Sequence, residues 1–300
     1  MDKYTSKSFV YKIPFLDTFF GKNKNKKIYP TIRFYRFFII ILIHVLFILS
    51  FKMDIQIIEG DISASRIFGL HLADAFITFE VFLASHKLPV NLAIGAFTIL
   101  GFYFLFGGRA FCSWVCPYSI LGEIGEKINA NFVHKKIIKQ REFNKKFRYL
   151  FFIIFITLTF ISGYMVFEIF NVVGILSRII IYGYFNAFFI VLGIFLIEIF
   201  FSRRSWCRYI CPIGTTYELI CGHTNIFKIS WNKKTCDNCN VCIDVCIVPH
   251  VLKNTKQKKA KNEIAEIFTI LGADCTLCGR CIDVCHNDSL KFENRLKKIL

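Results

Sequence analysis

Acid is scarce in this chain. Its 300 residues hold 21 Asp and Glu against 38 Lys and Arg, a formal charge of +17. Charge of either sign is missing from four apolar stretches: Phe37–Phe51, Leu88–Gly108, Tyr149–Phe167 and Ile179–Ile197. Four such gaps argue against a water-soluble globule with ordinary core helices. A bilayer span needs roughly 20 apolar residues, with ~17 tolerated. The first run reaches that length when Tyr35 and Arg36 are included, and Arg36 and Lys52 can snorkel to the two interfaces. No small-residue cleavage site follows that run, so it is expected to be an uncleaved anchor and not a signal peptide.

The basic residues set an orientation. Lys and Arg number 9, 3, 9, 1 and 16 in residues 1–36, 52–87, 109–148, 168–178 and 198–300. By the positive-inside rule both termini face the cytoplasm. The net charge is then a topology signal, and nucleic-acid binding, the other reading of strong basicity, is set aside. Cysteine is absent from the two loops placed outside, although the chain has 13. All 13 fall on the cytoplasmic side or at its interface, where thiols stay reduced, which argues against a disulfide framework.

What the chain does have is a duplicated cysteine run. Cys236-x2-Cys239-x2-Cys242-x3-Cys246 is repeated as Cys275-x2-Cys278-x2-Cys281-x3-Cys285. This is the bacterial ferredoxin spacing. A tight loop with a thiolate at every third position can wrap three irons of one cube. The fourth cysteine points away and ligates the other cube. The expected ligands are Cys236, Cys239, Cys242 and Cys285 for a first 4Fe–4S cluster, and Cys246, Cys275, Cys278 and Cys281 for a second. Zinc sites use separate CxxC pairs instead. The proline that usually follows the fourth cysteine is missing: Cys246 precedes Ile247-Val248-Pro249, and Cys285 precedes His286. His286 is read as solvent-facing, with tuning of a cluster potential as the other role.

Hydropathy divides the chain near residue 202. Residues 1–36 read as a cytoplasmic segment, 37–201 as a four-helix membrane domain, and 202–300 as a cytoplasmic domain. The fold class expected is an α-helical membrane protein with four transmembrane helices, arranged as two hairpin repeats. A C-terminal two-cluster ferredoxin-like α+β domain follows. Ile67–Ser85 is apolar but interrupted by Asp74 and Glu80, and is read as an external amphipathic segment, interfacial or re-entrant.

The membrane half repeats internally. Arg109-Ala-Phe-Cys-Ser-Trp-Val-Cys-Pro117 matches Arg204-Ser-Trp-Cys-Arg-Tyr-Ile-Cys-Pro212 at Arg, both Cys and Pro. If helical, each cysteine pair shares one face. Pseudo-symmetry could then bring Cys112, Cys116, Cys207 and Cys211 together as redox, metal-binding or docking thiols, or they could be small interfacial hydrophobes. Cys221 is left over as a buried inert thiol.

These features together resemble the NapH-type polyferredoxins over roughly residues 30–290. Phe106-Gly-Gly-Arg-Ala-Phe-Cys-Ser-Trp-Val-Cys-Pro117 is the most specific stretch. Methylamine-utilisation ferredoxins share the motifs, as do nitrous-oxide-reductase accessory proteins and cytochrome-oxidase assembly proteins. The last two usually carry extra domains. The resemblance implies a multi-pass protein of the bacterial inner membrane that oxidises quinol, menaquinol first of all. Its partners would be the lipid and quinone pool, a periplasmic iron–sulfur protein and a downstream reductase, most simply nitrate reductase. It also implies that the Cys-x3-Cys-Pro motifs help partner interaction. The alternative is a copper or iron reductase or assembly factor for a respiratory enzyme.

A quinol site needs an apolar slot with groups that take protons. His71, Asp74, Glu80 and Glu168 are the candidates, since acids near a membrane are functional by default. His44 lies within the first span with no second span histidine to make a haem pair, and is read as a packing or hydrogen-bonding residue. His134–Arg148 is expected as a surface helix against anionic headgroups. Lys253–Lys261 is expected as a solvated loop.

Overall fold

The computed structural model describes residues 19–22, 28–54, 58–139, 141, 143–222, 226–256, 267–270 and 272–294. Most of the N-terminal segment and most of the Lys253–Lys261 insert lie outside the described residues.

A short hairpin, β1 (Phe20–Lys22) with β2 (Ile28–Pro30), leads into α1 (Ile32–Lys52). At 1.5 Å per residue, its 21 residues span about 31 Å. Among the described residues it is the one helix long and apolar enough to cross a membrane. A three-stranded antiparallel sheet follows: β3 (Ile58–Gly60), β4 (Ala64–Ile67) and β5 (Leu70–Ala73). Next come α2 (Ala75–Ser85), α3 (Val90–Phe106), α4 (Phe111–Trp114) and α5 (Tyr118–His134).

The segment expected as one external amphipathic stretch is therefore strands followed by a helix, and its middle, Ala73–Thr78 with Glu80, is inside the molecule. Asp74 and Glu80 are 5% and 2% exposed. The reason is local. Asp74 caps α2 by accepting from the backbone N–H groups of Phe76 and Ile77, which stops the strand and starts the helix. Gly95 of α3 lets β5 approach: a Cβ there would lie 2.9 Å from the His71 carbonyl oxygen.

The second half repeats the order. α6 (Lys146–Ser162) and the short α7 (Val166–Phe170) precede α8 (Val172–Tyr182) and α9 (Phe188–Phe200). A π-helical turn (Trp206–Ile210) and α10 (Pro212–Cys221) complete it. So α1, α2, α3, α4 and α5 correspond to α6, α8, α9, the π turn and α10. Each repeat is richer than a two-helix hairpin, because a short side-chain-capped helix is inserted. Asn171 caps α8 through the Gly174 N–H, as Asp74 caps α2.

Three expected helices are corrected. Tyr149–Phe167 is not one helix, since α6 ends at Ser162 and Gly163 at φ 68° breaks it before α7. Ile179–Ile197 is not one helix: α8 ends at Tyr182, and Gly183 at φ 72° breaks it before α9. The 13 residues of α9 span only about 20 Å. His134–Arg148 is likewise not one helix, since α5 ends at His134 and α6 begins at Lys146.

The helical half exposes many large apolar side chains and buries several arginines. Phe38, Ile41 and Leu49 of α1, Phe97 and Leu105 of α3, Ile153 and Ile161 of α6, and Phe189 and Leu196 of α9 all face outward. Arg36, Arg109, Arg148 and Arg204 are instead 0–2% exposed.

The C-terminal part is an antiparallel sheet ordered β7 (Ile267–Ile270), β6 (Phe227–Asn232), β8 (Leu290–Asn294). It carries two single-turn helices, α11 (Val241–Asp244) and α12 (Arg280–Asp283). Its core joins Ile229, Trp231, Ile243, Leu252 and Leu290 to the cysteine loops.

Candidate electron-transfer site

The two cysteine loops fold alike. Asn238 and Asn240, on either side of Cys239, take left-handed φ values of 56° and 61°. Leu277 and Gly279, on either side of Cys278, take 50° and 70°. These kinks curl each loop around a centre. Gly279 also permits docking, since a Cβ there would sit 2.5 Å from Ile32 Cγ2 at the start of α1.

The fourth cysteines cross over. Cys285 lines one cavity with Cys236, Cys239 and Cys242. Cys246 instead lies within electrostatic reach of the second-run thiols Cys275, Cys278 and Cys281. Each crossing sulfur accepts a backbone N–H, from Val248 to Cys246 at 3.4 Å and from Ser289 to Cys285 at 3.3 Å. Burial pushes the Cys242 and Cys275 thiols up to about 12. Thiolates in such places need a cation, which a multi-iron cluster supplies. Among the described residues no three His, Cys, Asp or Glu side chains converge tightly enough for a single metal ion. Ligands of a cube bind separate irons and stand farther apart, so the donor sets fit a cluster. His286 is half exposed and meets Asp237 at 2.7 Å, the solvent-facing role expected of it.

The second loop is fixed to the helical half by buried ion clusters. Arg36 bonds Glu123 at 2.6 Å and donates to the Cys278 carbonyl at 3.2 Å. Arg33 reaches Glu123 at 2.8 Å. Arg280, beside Cys281, bonds Glu126 at 2.7 Å. In the other repeat Arg148 bonds Glu218 at 2.5 Å, and both Arg109 and Arg148 meet Asp274, the residue before Cys275. His250 reaches the same carboxylate at 2.9 Å. Trp114 Nε1 donates to the Leu277 carbonyl at 3.0 Å. Asp283 accepts from the N–H groups of Ile32 and Arg33, so the ferredoxin-type helix α12 caps α1. Burial would raise Glu126, but Arg280, Arg203 and Arg204 outweigh it and hold the carboxyl at about 2. Burial would likewise raise Glu123, yet Arg36, Arg280 and Arg33 keep it well below the usual range.

The four Cys-x3-Cys-Pro thiols are drawn together at this junction. Cys116 lies within electrostatic reach of Cys207, Cys112 and Cys211. All four belong to or border the buried core of the helical half. The Cys207 carbonyl accepts from Arg109 at 3.1 Å and Arg148 at 3.3 Å, the two arginines that hold Asp274. Cys221 is fully buried, its thiol 3.6 Å from the Leu100 carbonyl.

The quinol candidates separate. Glu80 is a tie: it accepts from Thr159 Oγ1 at 2.9 Å and from the Phe167 N–H at 2.6 Å, joining α2 to α6 and α7. Glu168 pairs with Arg178. His71 lies part-buried on β5 and His44 bonds the Ile40 carbonyl of its own helix at 2.7 Å. Asp74 differs, because Tyr217 of α10 donates to it at 3.2 Å. Tyr103 and Tyr217 were missed from sequence. The ion-cluster acids had a signal that went unused: Glu123 and Glu218 each stand seven residues after the second cysteine of their motif.

Comparison with known proteins agrees with the duplication. The 4Fe-4S binding domain family matches residues 88–140 and 185–234, once on each Cys-x3-Cys-Pro repeat. The ferredoxin-type protein NapH of Haemophilus influenzae is 31% identical over 80% of this chain and 82% of its own length. NapH of Escherichia coli is 28% identical over 80% and 82%. The methylamine utilization ferredoxin-type protein MauN of Paracoccus denitrificans is 32% identical over 65% of this chain and 69% of its own. No solved structure matches. Duplicated motif, crossed cysteine loops and relatives converge: the chain belongs to the NapH-type family of ferredoxin-type proteins.

Proposed function

We propose that this chain is a membrane-embedded iron–sulfur carrier that takes electrons from quinol and passes them towards a periplasmic reductase, nitrate reductase in the first place. The observation that carries the reading is the crossing of Cys285 into the cavity of Cys236, Cys239 and Cys242. Those four residues would hold one 4Fe–4S cluster. Cys246, Cys275, Cys278 and Cys281 would hold the other. Bound there, the clusters supply one-electron storage. The protein tunes them through the Val248 and Ser289 N–H groups, which stabilise charge on sulfur.

The outward apolar faces of α1, α3, α6 and α9 support four spans, with both termini cytoplasmic. The likeness to proteins named NapH supports nitrate reductase and a periplasmic iron–sulfur protein as the partners. The test is iron analysis and low-temperature EPR on the purified chain, with about eight irons expected for two cubes. A menaquinol analogue should then reduce the clusters in membranes. Intact clusters that stay oxidised would remove quinol oxidation from the reading.

A second reading is a copper or iron reductase or assembly factor: Cys116 lies within electrostatic reach of Cys112, Cys207 and Cys211, although the four thiols do not converge tightly enough to hold a single metal ion as they stand. Stoichiometric copper that is lost when all four become Ser would favour it.

A further inference from the structure

We propose that the apolar cavity between α1, the β3–β5 sheet, α3, the first Cys-x3-Cys-Pro segment and α10 binds the quinol headgroup, and that Asp74 takes its hydroxyl proton. The proposal rests on the reading of the chain as a quinol-oxidising carrier. The cavity is open on one side and offers about 210 Å³, less than the roughly 300–1,000 Å³ of sites that take a whole small molecule, so it takes a headgroup and leaves the tail outside. Phe47 of α1 forms one wall and Tyr103 of α3 another. Phe111 and Val115, which flank Cys112, reach it from the first motif, and Tyr217, six residues past Cys211, from α10. The rings of Tyr103 and Tyr217 stand 5.1 Å apart at 63°, and Phe111 is 5.6 Å from Tyr217. These rings offer an aromatic frame for a flat headgroup.

Asp74 supplies the chemistry. It is a buried acid in an apolar setting, and among the described residues it makes no ion pair. Its Oδ1 caps α2 through Phe76 and Ile77. Its Oδ2 accepts one hydroxyl, from Tyr217. A carboxylate oxygen has a second lone pair, so Oδ2 can also accept from a quinol hydroxyl. The capping role does not require an acid. Asn171 caps the equivalent helix in the second repeat with a neutral amide. The carboxylate at 74 is thus in excess of what the fold needs, and buried acids of that kind in a bilayer mark proton handling.

In the step proposed, the O–H bond facing Asp74 breaks and its proton passes to Oδ2. The opposite hydroxyl loses its proton to water. The two electrons leave for two oxidised 4Fe–4S clusters, one each, and quinone remains. The position also gives the duplicated Cys-x3-Cys-Pro motif a place: Phe111 and Val115 of the first copy line the cavity, and the Cys207 carbonyl of the second meets the arginines holding the second cysteine loop.

The experiment uses the full chain, with its clusters, in lipid nanodiscs. An azido-menaquinone analogue is photolysed and the labelled peptides are mapped. Labelling is expected on Phe111–Val115 and α10, and displaced by menaquinone. Asp74→Asn keeps the cap. It should bind a short-chain menaquinone analogue within about threefold of wild type, yet slow cluster reduction by its quinol about a hundredfold, the scale of a lost general base. Val115→Trp, which fills the cavity, should lose binding by more than tenfold with iron content unchanged. Labelling elsewhere with tight binding would overturn this site and leave quinol oxidation standing. Wild-type reduction rates in Asp74→Asn would overturn the proton role. No binding by a wild-type chain with intact clusters would overturn both readings. The photolabel map decides the location even where a variant fails to fold.

Discussion

Arg36, near the start of the first long helix, donates a hydrogen bond to the main-chain oxygen of Cys278, in the centre of the second cysteine loop. The two residues are 242 apart in sequence. The same guanidinium bonds Glu123, the Ser113 carbonyl and Ser119 Oγ. One buried cation therefore ties α1, the first Cys-x3-Cys-Pro segment, α5 and the ferredoxin-type part together. Arg148 does the matching work in the second repeat through Glu218 and Asp274. The ferredoxin-type part is thus built into the helical half and is not a tethered tail.

Truncating Arg36 tests that coupling. Arg36→Ala strands Glu123 in the interior with weaker compensation from Arg33 and Arg204. Removing one partner of a buried pair costs about 3–5 kcal/mol. Chemical denaturation in detergent should show that loss. EPR should show a broadened or missing signal from the second cluster, with the first retained. Equal damage to both clusters would mean that the loops do not depend separately on the helical half.

The crossed ligand sets make a second prediction. Cys285→Ser belongs by sequence to the second run but by position to the first set. It should disturb the cluster of Cys236, Cys239 and Cys242 and spare the other. Cys246→Ser should do the converse. Double-integrated EPR spectra of the two variants, compared for complementary losses, check this. Damage that follows the sequence runs would refute the crossing.

Much of this was readable in the sequence because it is local. The x2-x2-x3 spacing dictates loop curvature, and Arg109 and Arg204 announce the duplication within nine residues of chain. What failed was non-local or conformational. Ile179–Ile197 is uniformly apolar, so hydropathy is blind to the left-handed φ of Gly183 that splits it. Ile67–Ser85 looked like an external surface because its two acids suggest solvation, yet both are buried and accept hydrogen bonds from backbone and hydroxyl donors. The Asp74–Tyr217 contact joins residues 143 apart and leaves no periodic trace.

Glu80 provides a control for any effect at Asp74. Its accepted bonds come from Thr159 and the Phe167 backbone, so it works as a brace between helices. Glu80→Gln keeps an acceptor and should fold with little loss. Glu80→Leu leaves a buried N–H unpaired, at a cost of about 1–3 kcal/mol. Thermal unfolding checks the ranking. Menaquinone-analogue affinity should stay within about twofold of wild type in Glu80→Gln, on the scale of an uncoupled distant site.

Topology can be read by labelling. Tyr184 follows the Gly183 break and is 67% exposed, while Lys234 lies beside the first cysteine run and is also exposed. With four spans and cytoplasmic termini, Tyr184→Cys reacts with a membrane-impermeant maleimide in intact spheroplasts, and Lys234→Cys reacts only after lysis. The unsubstituted chain sets the background, because its own 13 cysteines lie inside or at the cytoplasmic face in that arrangement. The reverse pattern would turn the chain over and put both cysteine loops on the side of the periplasmic partner. Equal labelling at both positions would instead argue that α9 fails to cross. The 13 residues of α9 make that a sharp test, since at about 20 Å they cover only two thirds of a hydrocarbon core of about 30 Å.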